Sequence, residues 1–160
     1  MKDKKTLLKL SLGEEIGNSV THGVMAALML IALPIGAILA YERDGWILAL
    51  GISVFIISLF LMFLSSCLYH SMAYDSKHKS VMRILDHIFI YVAIAGSYTP
   101  VALSIIKGWQ GILILIIQWT MVLFGVLYKS LSKKSMPKAS VSIYLTMGWV
   151  AVFFMPTLIK

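Results

Sequence analysis

The 160-residue chain has a single cysteine and few charged residues. Because Cys67 stands alone, an intrachain disulfide framework and a cysteine-rich zinc cluster are both excluded. Asp, Glu, Lys and Arg make up 13% of the residues, whereas 59% are hydrophobic. Soluble globular domains carry about 25% charged residues. The chain must therefore use lipid as its solvent over most of its length.

Five apolar stretches are each long enough to cross a membrane. A hydrocarbon layer of roughly 30 Å requires about 20 helical residues. We therefore predict an all-α, polytopic transmembrane helix bundle that forms a single domain over residues 1–160. The connections between the stretches are short, so neighbouring helices should run antiparallel. The predicted helices cover about residues 17–41, 46–73, 84–106, 110–129 and 139–159.

The net charge of +7 indicates membrane topology rather than nucleic-acid binding. Lys and Arg lie at the ends of the apolar stretches and form no continuous patch with interleaved aromatic residues, so we predict no nucleic-acid partner. Three basic residues, Arg43, Lys107 and Lys160, fall on one side and eleven on the other, which the positive-inside rule places in the cytoplasm together with the N-terminus. The eleven are Lys2, Lys4, Lys5, Lys9, Lys77, Lys79, Arg83, Lys129, Lys133, Lys134 and Lys138.

Three ionisable residues interrupt the apolar stretches near their predicted cytoplasmic ends. Asp86 lies at the start of the third stretch, His70 near the end of the second, and His22 about one turn into the first. A charge at mid-membrane costs roughly 2.5 to 3.5 kcal/mol on insertion scales, and less near the ends. Ionisable residues are therefore kept in such segments chiefly where they have a function.

Helical spacing places further polar residues beside these three. Glu15, Asn18 and His22 are spaced i, i+3, i+7 and share one face of the first helix, and Ser66 and His70 are spaced i, i+4 on the second. Because all of them lie at one end of the bundle, we predict that the polar faces of three helices converge there.

Two interpretations of this cluster remain open from the residues alone. A neutral imidazole is a common metal ligand and needs a second group to hold its ring, a need that Ser66 and Asp86 could meet for His70. A zinc ion that keeps one water could then supply hydroxide for hydrolysis. In the other interpretation, His70 and His22 are hydrogen-bonded packing residues with no metal.

Three short motifs also follow one another in a set order. They are Glu15-x-x-Asn18-x-x-Thr21-His22, Ser66-x-x-x-His70, and Asp86 followed by Ala95-Gly96-Ser97-Tyr98-Thr99-Pro100. From about residue 13 to its end, the chain resembles the bacterial hemolysin III branch of the progestin and adipoQ receptor family. The resemblance implies a seven-helix bundle in the bacterial plasma membrane with its N-terminus inside. It also implies a zinc ion near the cytoplasmic face, held by one histidine of the second helix and an H-x-x-x-H pair of the seventh.

The resemblance implies a function and a role for each motif residue. It implies zinc-dependent hydrolysis of a lipid amide near the inner leaflet, with membrane lipids as partners. His70 would be the second-helix zinc ligand, Asp86 would contact the zinc-bound water, and Ser66 would lie in the same shell. The residues implied as a supporting polar cluster are Glu15, Asn18, Thr21, His22 and Ser97.

The chain departs from the family pattern at its end. All four histidines precede residue 88, so the H-x-x-x-H pair is missing and five of seven helices are present. We therefore expect a truncated form with an incomplete zinc site, whose uncovered apolar faces favour a homo-oligomer. The alternative function is a non-enzymatic, membrane-perturbing or pore-forming hemolysin, in which the polar residues serve only packing.

Overall fold

The computed structural model describes residues 10–74, 76–106, 108–131 and 137–158, and in the last of these segments the side chains of 139–153. These residues are almost entirely helical, which confirms the predicted all-α class. The helix Leu12–Ser71 is interrupted at Asp44 and Gly45 and so forms two segments, which we call α1 (12–43) and α2 (46–71). The other elements are α3 (Lys77–Pro100), a π-helical continuation of α3 (Val101–Ile106), α4 (Gly108–Leu131) and α5 (Pro137–Leu158). The basic residues Lys2, Lys4, Lys5, Lys9, Lys107, Lys133, Lys134 and Lys160, and the last residue of the predicted fifth helix, lie outside the described residues.

The turn between α1 and α2 is a hairpin of two residues. Asp44 and Gly45 leave helical geometry, and Gly45 has φ +74°, a conformation that glycine adopts without steric cost. A straight 60-residue helix would be roughly 90 Å long, about three times the hydrocarbon thickness. The hydroxyls of Ser19 and Ser71 instead lie 2.6 Å apart, so the two segments run antiparallel side by side.

Side-chain caps begin two of the helices. Ser11 and Glu14 form a capping box at the start of α1, in which the Glu14 amide donates to Ser11 Oγ and the Ser11 amide donates to Glu14 Oε2. At α3, Ser76 Oγ accepts from the Lys79 amide at 3.0 Å. This cap explains why α3 begins at Lys77 rather than at the predicted residue 84, where the apolar stretch starts.

Helix α3 is the centre of the bundle. It contacts every other described helix, and its residues Tyr91 and Ala95 pack with Val122 of α4 and Met147 of α5 in the buried core. Large apolar side chains elsewhere point outward, as a lipid-facing surface requires. By length and composition, Leu12–Ser71, Lys77–Ile106 and Gly108–Leu131 are each able to cross a membrane. The chain is therefore a multi-pass membrane protein.

Glycines allow α3 to approach its neighbours closely. A Cβ atom at Gly51 of α2 would come within 2.7 Å of the Pro100 Cα, and one at Gly96 of α3 would collide with the Ser58 side chain. Beyond Pro100 the helix continues with π geometry, a change that a residue without an amide hydrogen favours. At the end of the bundle that contains His22 and His70, by contrast, polar side chains hold the helices together.

Candidate functional site

The α1–α2 interface joins His22 to Ser66. His22 Nδ1 and Ser66 Oγ are 2.7 Å apart and form a hydrogen bond between partly buried side chains. The His22 ring also packs against Phe63, with ring centroids 5.8 Å apart, and lies 6.2 Å from the His70 ring. The two histidines of adjacent helices are therefore neighbours, as their spacing predicted.

Glu15 of α1 connects the second histidine to a buried lysine. Its Oε2 atom lies 2.7 Å from His70 Nδ1, and its Oε1 atom accepts from Lys79 Nζ at 2.7 Å. Lys79 is 6% exposed and also donates to the Met72 carbonyl at 3.1 Å. One carboxylate thus ties together α1, the end of α2 and the first turn of α3. We call Glu15, His70 and Lys79 the charged triad.

The charged triad also determines which nitrogen of His70 carries the proton. An ionised carboxylate can only accept hydrogen bonds, so Nδ1 of His70 must donate to Glu15. In a neutral imidazole, Nε2 is then left with a free lone pair. Tyr69 packs edge-on against the ring at 4.7 Å and fixes its plane.

Ser19 and Ser71 extend the polar contact between α1 and α2. Their hydroxyls are hydrogen-bonded at 2.6 Å, and the Cys67 carbonyl lies within hydrogen-bond distance of both, at 3.3 Å from Ser19 Oγ and 2.7 Å from Ser71 Oγ, so the hydroxyl that does not donate to its partner can donate to this carbonyl. Cys67 is a half-buried free thiol that lies 3.7 Å from Ser19 Oγ.

Asp86 lies on α3, and the contact described for its side chain is with His87. Its side chain is 17% exposed, and its Oδ2 atom is 3.7 Å from Nδ1 of His87, which is itself bonded to the Arg83 carbonyl at 2.7 Å. In the part of the chain that the structure describes, Asp86 forms no hydrogen bond with Ser66 or His70. Helix α3 joins the cluster through Lys79, and the proposed role of Asp86 stays a prediction.

The other predicted residues divide between the cluster and the outer surface. Asn18 is half-buried on the same face as Glu15, whereas Thr21 is exposed and its hydroxyl donates to the Gly17 carbonyl at 2.8 Å. Ser97 is exposed as well and donates to the Ile94 carbonyl of its own helix at 2.7 Å. The structure thus brings Glu15, His22, Ser66 and His70 together at one end of the bundle, places Asn18 on the same face of α1, and leaves Thr21 and Ser97 outside that group.

Sequence reasoning missed Lys79. The residue lies among Lys77, His78 and Arg83, where a lysine reads as a solvated topology signal. The Ser76 cap explains the contact of Lys79. Because of this cap, α3 begins at Lys77, seven residues before the predicted start, and Lys79 is its third residue. From this position its ammonium group donates a hydrogen bond to Glu15 Oε1 of α1.

A cavity of about 610 Å³ lies beside the charged triad. Such a volume is within the roughly 300 to 1,000 Å³ typical of ligand pockets. Glu15, His70 and Lys79 line one part of it, Leu12, Ile16 and other apolar side chains line another, and the hydroxyl-bearing residues Ser19, Ser71 and Tyr74 also contribute. The combination of charged and apolar walls suits an amphiphilic molecule better than a small polar one.

The described residues do not complete a metal site. Across these residues, no group of three or more His, Cys, Asp or Glu side chains is placed to hold a metal ion. The Nδ1 atoms of His22 and His70 are already hydrogen-bonded, which leaves one nitrogen on each ring. A catalytic zinc commonly has three protein ligands and one water, so the donors described here do not fit a zinc site by themselves.

Comparison with known proteins identifies the family. A family model described as "Haemolysin-III related" matches residues 10–160. The chain is 37% identical over 139 residues to "Hemolysin-3 homolog" of Bacillus subtilis (strain 168), a match that covers 87% of this chain and 65% of the relative. It is 36% identical over 152 residues to "Hemolysin-3" of Bacillus cereus, covering 95% and 69% respectively. No solved structure gives a significant match.

The matched region thus spans about two thirds of the length of these relatives. The match nevertheless runs through α1 to α5 and includes every motif on which the resemblance was based. The resemblance to the hemolysin III branch is confirmed, and the chain belongs to the haemolysin-III-related family of membrane proteins.

Proposed function

We propose that this chain is part of a zinc-dependent membrane hydrolase that cleaves a lipid amide near the cytoplasmic face of the bacterial plasma membrane. The observation that carries the proposal is the cavity beside the charged triad, which offers His70 at a wall shared with apolar side chains. A lipid could place its polar group against the triad while its chains lie along Leu12 and Ile16.

His70 is the metal donor that we propose for this chain. Its Nδ1–H is held by Glu15, which orients the ring and keeps Nε2 free, as carboxylate partners do for metal-binding histidines. Ser66 and Asp86 are the proposed catalytic side chains, and His22 and Asn18 support them. The remaining ligands would have to come from beyond the described residues, and the relatives are about half as long again as the matched region.

The proposed orientation rests on charge. Eleven basic residues lie on the side of the membrane that contains the N-terminus and the charged triad, and three lie on the opposite side. This distribution favours a cytoplasmic location for the cavity beside the triad. A reporter fused after the Asp44–Gly45 hairpin should then report the outside of the cell.

Zinc content is the direct test of the hydrolase proposal. The purified chain, its His70→Ala variant and the full-length Bacillus cereus relative would be measured in detergent by elemental mass spectrometry. His78→Ala is the matched control, because His78 is exposed at the first turn of α3. We expect zinc in the longer relative, and any zinc that this chain holds should be lost with His70→Ala and kept with His78→Ala.

Each outcome decides between clear alternatives. Zinc in the relative alone, lost when its histidine aligned with His70 is replaced, would support a site completed by the additional length of the relative. Absence of zinc from both proteins would overturn the proposal. A fluorogenic lipid amide, cleaved by the zinc-loaded protein and not by its Asp86→Asn variant, would then assign the reaction.

The name of the Bacillus cereus relative, "Hemolysin-3", favours a second candidate function. In this alternative the chain disturbs the bilayer without catalysis, and the polar cluster only holds α1, α2 and α3 together. Dye leakage from liposomes that is unaffected by a chelator and by Asp86→Asn would support it. Leakage that requires zinc would count against it.

A further inference from the structure

The hairpin end of the bundle contains a second cavity, far along α1 and α2 from the charged triad. It has a volume of about 570 Å³ and lies between the ends of α1 and α2 and the π-helical segment. Its apolar wall is formed by Leu39, Leu48, Ile52 and Ile105. Leu39 and Ile105 are 60% and 64% exposed, so this wall continues into the lipid-facing surface of the protein.

A cation that has no partner among the described residues lies at the rim of this cavity. Arg43 lines it, and in the described part of the chain Arg43 forms no ion pair or hydrogen bond. Tyr41 and Trp46 flank Arg43 and are 62% and 67% exposed. Such aromatic residues mark the depth of the lipid headgroups. The Arg43 guanidinium is thus available at the level where phosphates lie.

An unpaired hydroxyl lies beside the same cavity. Ser104 belongs to the π-helical segment that lines it, and its Oγ atom is buried without a hydrogen-bond partner among the described residues. The buried hydroxyls of Tyr91, Tyr128 and Ser140 also lack a partner among the described residues, but none of them lines this cavity, and other hydroxyls of the bundle are paired. Ser53 and Thr99, for example, each donate to the carbonyl four residues earlier, at 2.7 and 3.0 Å. A rotation about χ1 of Ser104 would offer its hydroxyl to a ligand.

From these three features we infer that the hairpin cavity binds a glycerophospholipid. The phosphate pairs with the Arg43 guanidinium, whose planar fork matches phosphate oxygens. An acyl chain lies along Leu39, Leu48 and Ile105, and the Ser104 hydroxyl donates to an ester carbonyl of the lipid. Asp44 also lines the cavity and is engaged in an interaction of its own.

A lipid fits these observations better than free phosphate. A free ion would use Arg43 alone and leave the apolar wall uncovered, whereas an exposed arginine binds a small anion weakly in competition with water and salt. The lipid covers the wall and brings its phosphate to the guanidinium in one molecule. This site is independent of the hydrolase proposal, because it lies at the other end of α1 and α2.

Native mass spectrometry of the detergent-purified chain can test the inference. Titration with dioleoyl phosphatidylglycerol should give a saturable one-lipid complex, and dioleoylglycerol, which has the same chains without a phosphate, should bind at least tenfold more weakly. Arg43→Gln should lower the affinity for phosphatidylglycerol about tenfold, and Ser104→Ala about threefold. Lys77→Gln is the control, since it removes an exposed cation at the opposite end.

Three results would overturn the inference. These are equal affinities of Arg43→Gln and Lys77→Gln for phosphatidylglycerol, equal binding of dioleoylglycerol, and displacement of the lipid by millimolar inorganic phosphate. Circular dichroism and size-exclusion profiles of Arg43→Gln should match those of the parent, because the side chain is exposed and has no described partner. If Arg43→Gln keeps its fold and loses affinity for phosphatidylglycerol, the loss is then due to the missing guanidinium.

Discussion

The two ends of the α1–α2 hairpin differ in the pairing of their polar side chains. At the end with the histidines, polar groups bind one another: His22 to Ser66, and Glu15 to both His70 and Lys79. At the hairpin end, Arg43 and the Ser104 hydroxyl have no partner within the described residues. Both ends have cavities of similar volume, about 610 and 570 Å³.

The two ends therefore differ in the source of the hydrogen bonds that satisfy their polar groups. Lys79 is buried and would be costly to insert alone, so Glu15 and the Met72 carbonyl neutralise and satisfy it. Arg43 is exposed at headgroup depth and can use phosphates or water instead. One end is therefore completed by the protein, and the other by its surroundings.

The largest effect should follow from breaking the charged triad. Glu15→Ala leaves the buried Lys79 ammonium without its counterion and His70 without its acceptor, so we expect a loss of about 3 kcal/mol of unfolding free energy. Denaturant unfolding of the detergent-solubilised chain would measure it. Glu42→Ala, an exposed carboxylate at the hairpin end, should change stability by less than about 0.5 kcal/mol.

A double variant distinguishes the cost of an unpaired charge at Glu15 and Lys79 from the cost of lost packing. Glu15→Leu with Lys79→Met removes both buried charges and should recover at least half of the lost stability, since apolar replacements of a buried pair are often neutral. If the double variant were as unstable as Glu15→Ala, the cost would come from packing rather than from an unpaired ammonium. The charged triad would then lose its electrostatic interpretation.

The bond between His22 and Ser66 should give a smaller effect. Ser66→Ala leaves Nδ1 of His22 without its partner in a partly buried interface, and we expect a loss of about 1 to 2 kcal/mol. Ser53→Ala removes a hydroxyl that bonds only to its own helix, at the Ala49 carbonyl, and should cost about 0.6 kcal/mol or less. Equal losses in the two variants would contradict an α1–α2 contact at His22.

The sequence was sufficient for the fold class and for some of the contacts at the candidate site. Apolar length and the spacing of Glu15, His22, Ser66 and His70 predicted which helices meet and which faces meet, because helical periodicity is local. It did not predict that the third helix joins through Lys79, since that depends on where α3 begins. The start of α3 is determined by the Ser76 cap rather than by hydropathy.

The hairpin cavity was beyond sequence reasoning for a different reason. Arg43 reads as a topology signal at the end of an apolar stretch, and Ser104 as one of several hydroxyls in a helix. What distinguishes them is that both line one cavity and lack a partner among the described residues, and this depends on the two-residue turn at Asp44 and Gly45 and on the π geometry after Pro100. Neither feature has a periodic signature.

The smallest effect, and the sharpest contrast between the two ends, should come from Ser104→Ala. Removing a buried hydroxyl that has no partner costs no hydrogen bond, so in lipid-free detergent we expect a stability within about 0.5 kcal/mol of the parent, or slightly above it. The same removal of a hydroxyl at Ser66 should be clearly destabilising. Adding phosphatidylglycerol should stabilise the parent more than Ser104→Ala, because a ligand that binds the folded state raises its stability in proportion to its affinity. A loss at Ser104 as large as that at Ser66 in lipid-free detergent would mean that the hairpin end, too, is completed by the protein.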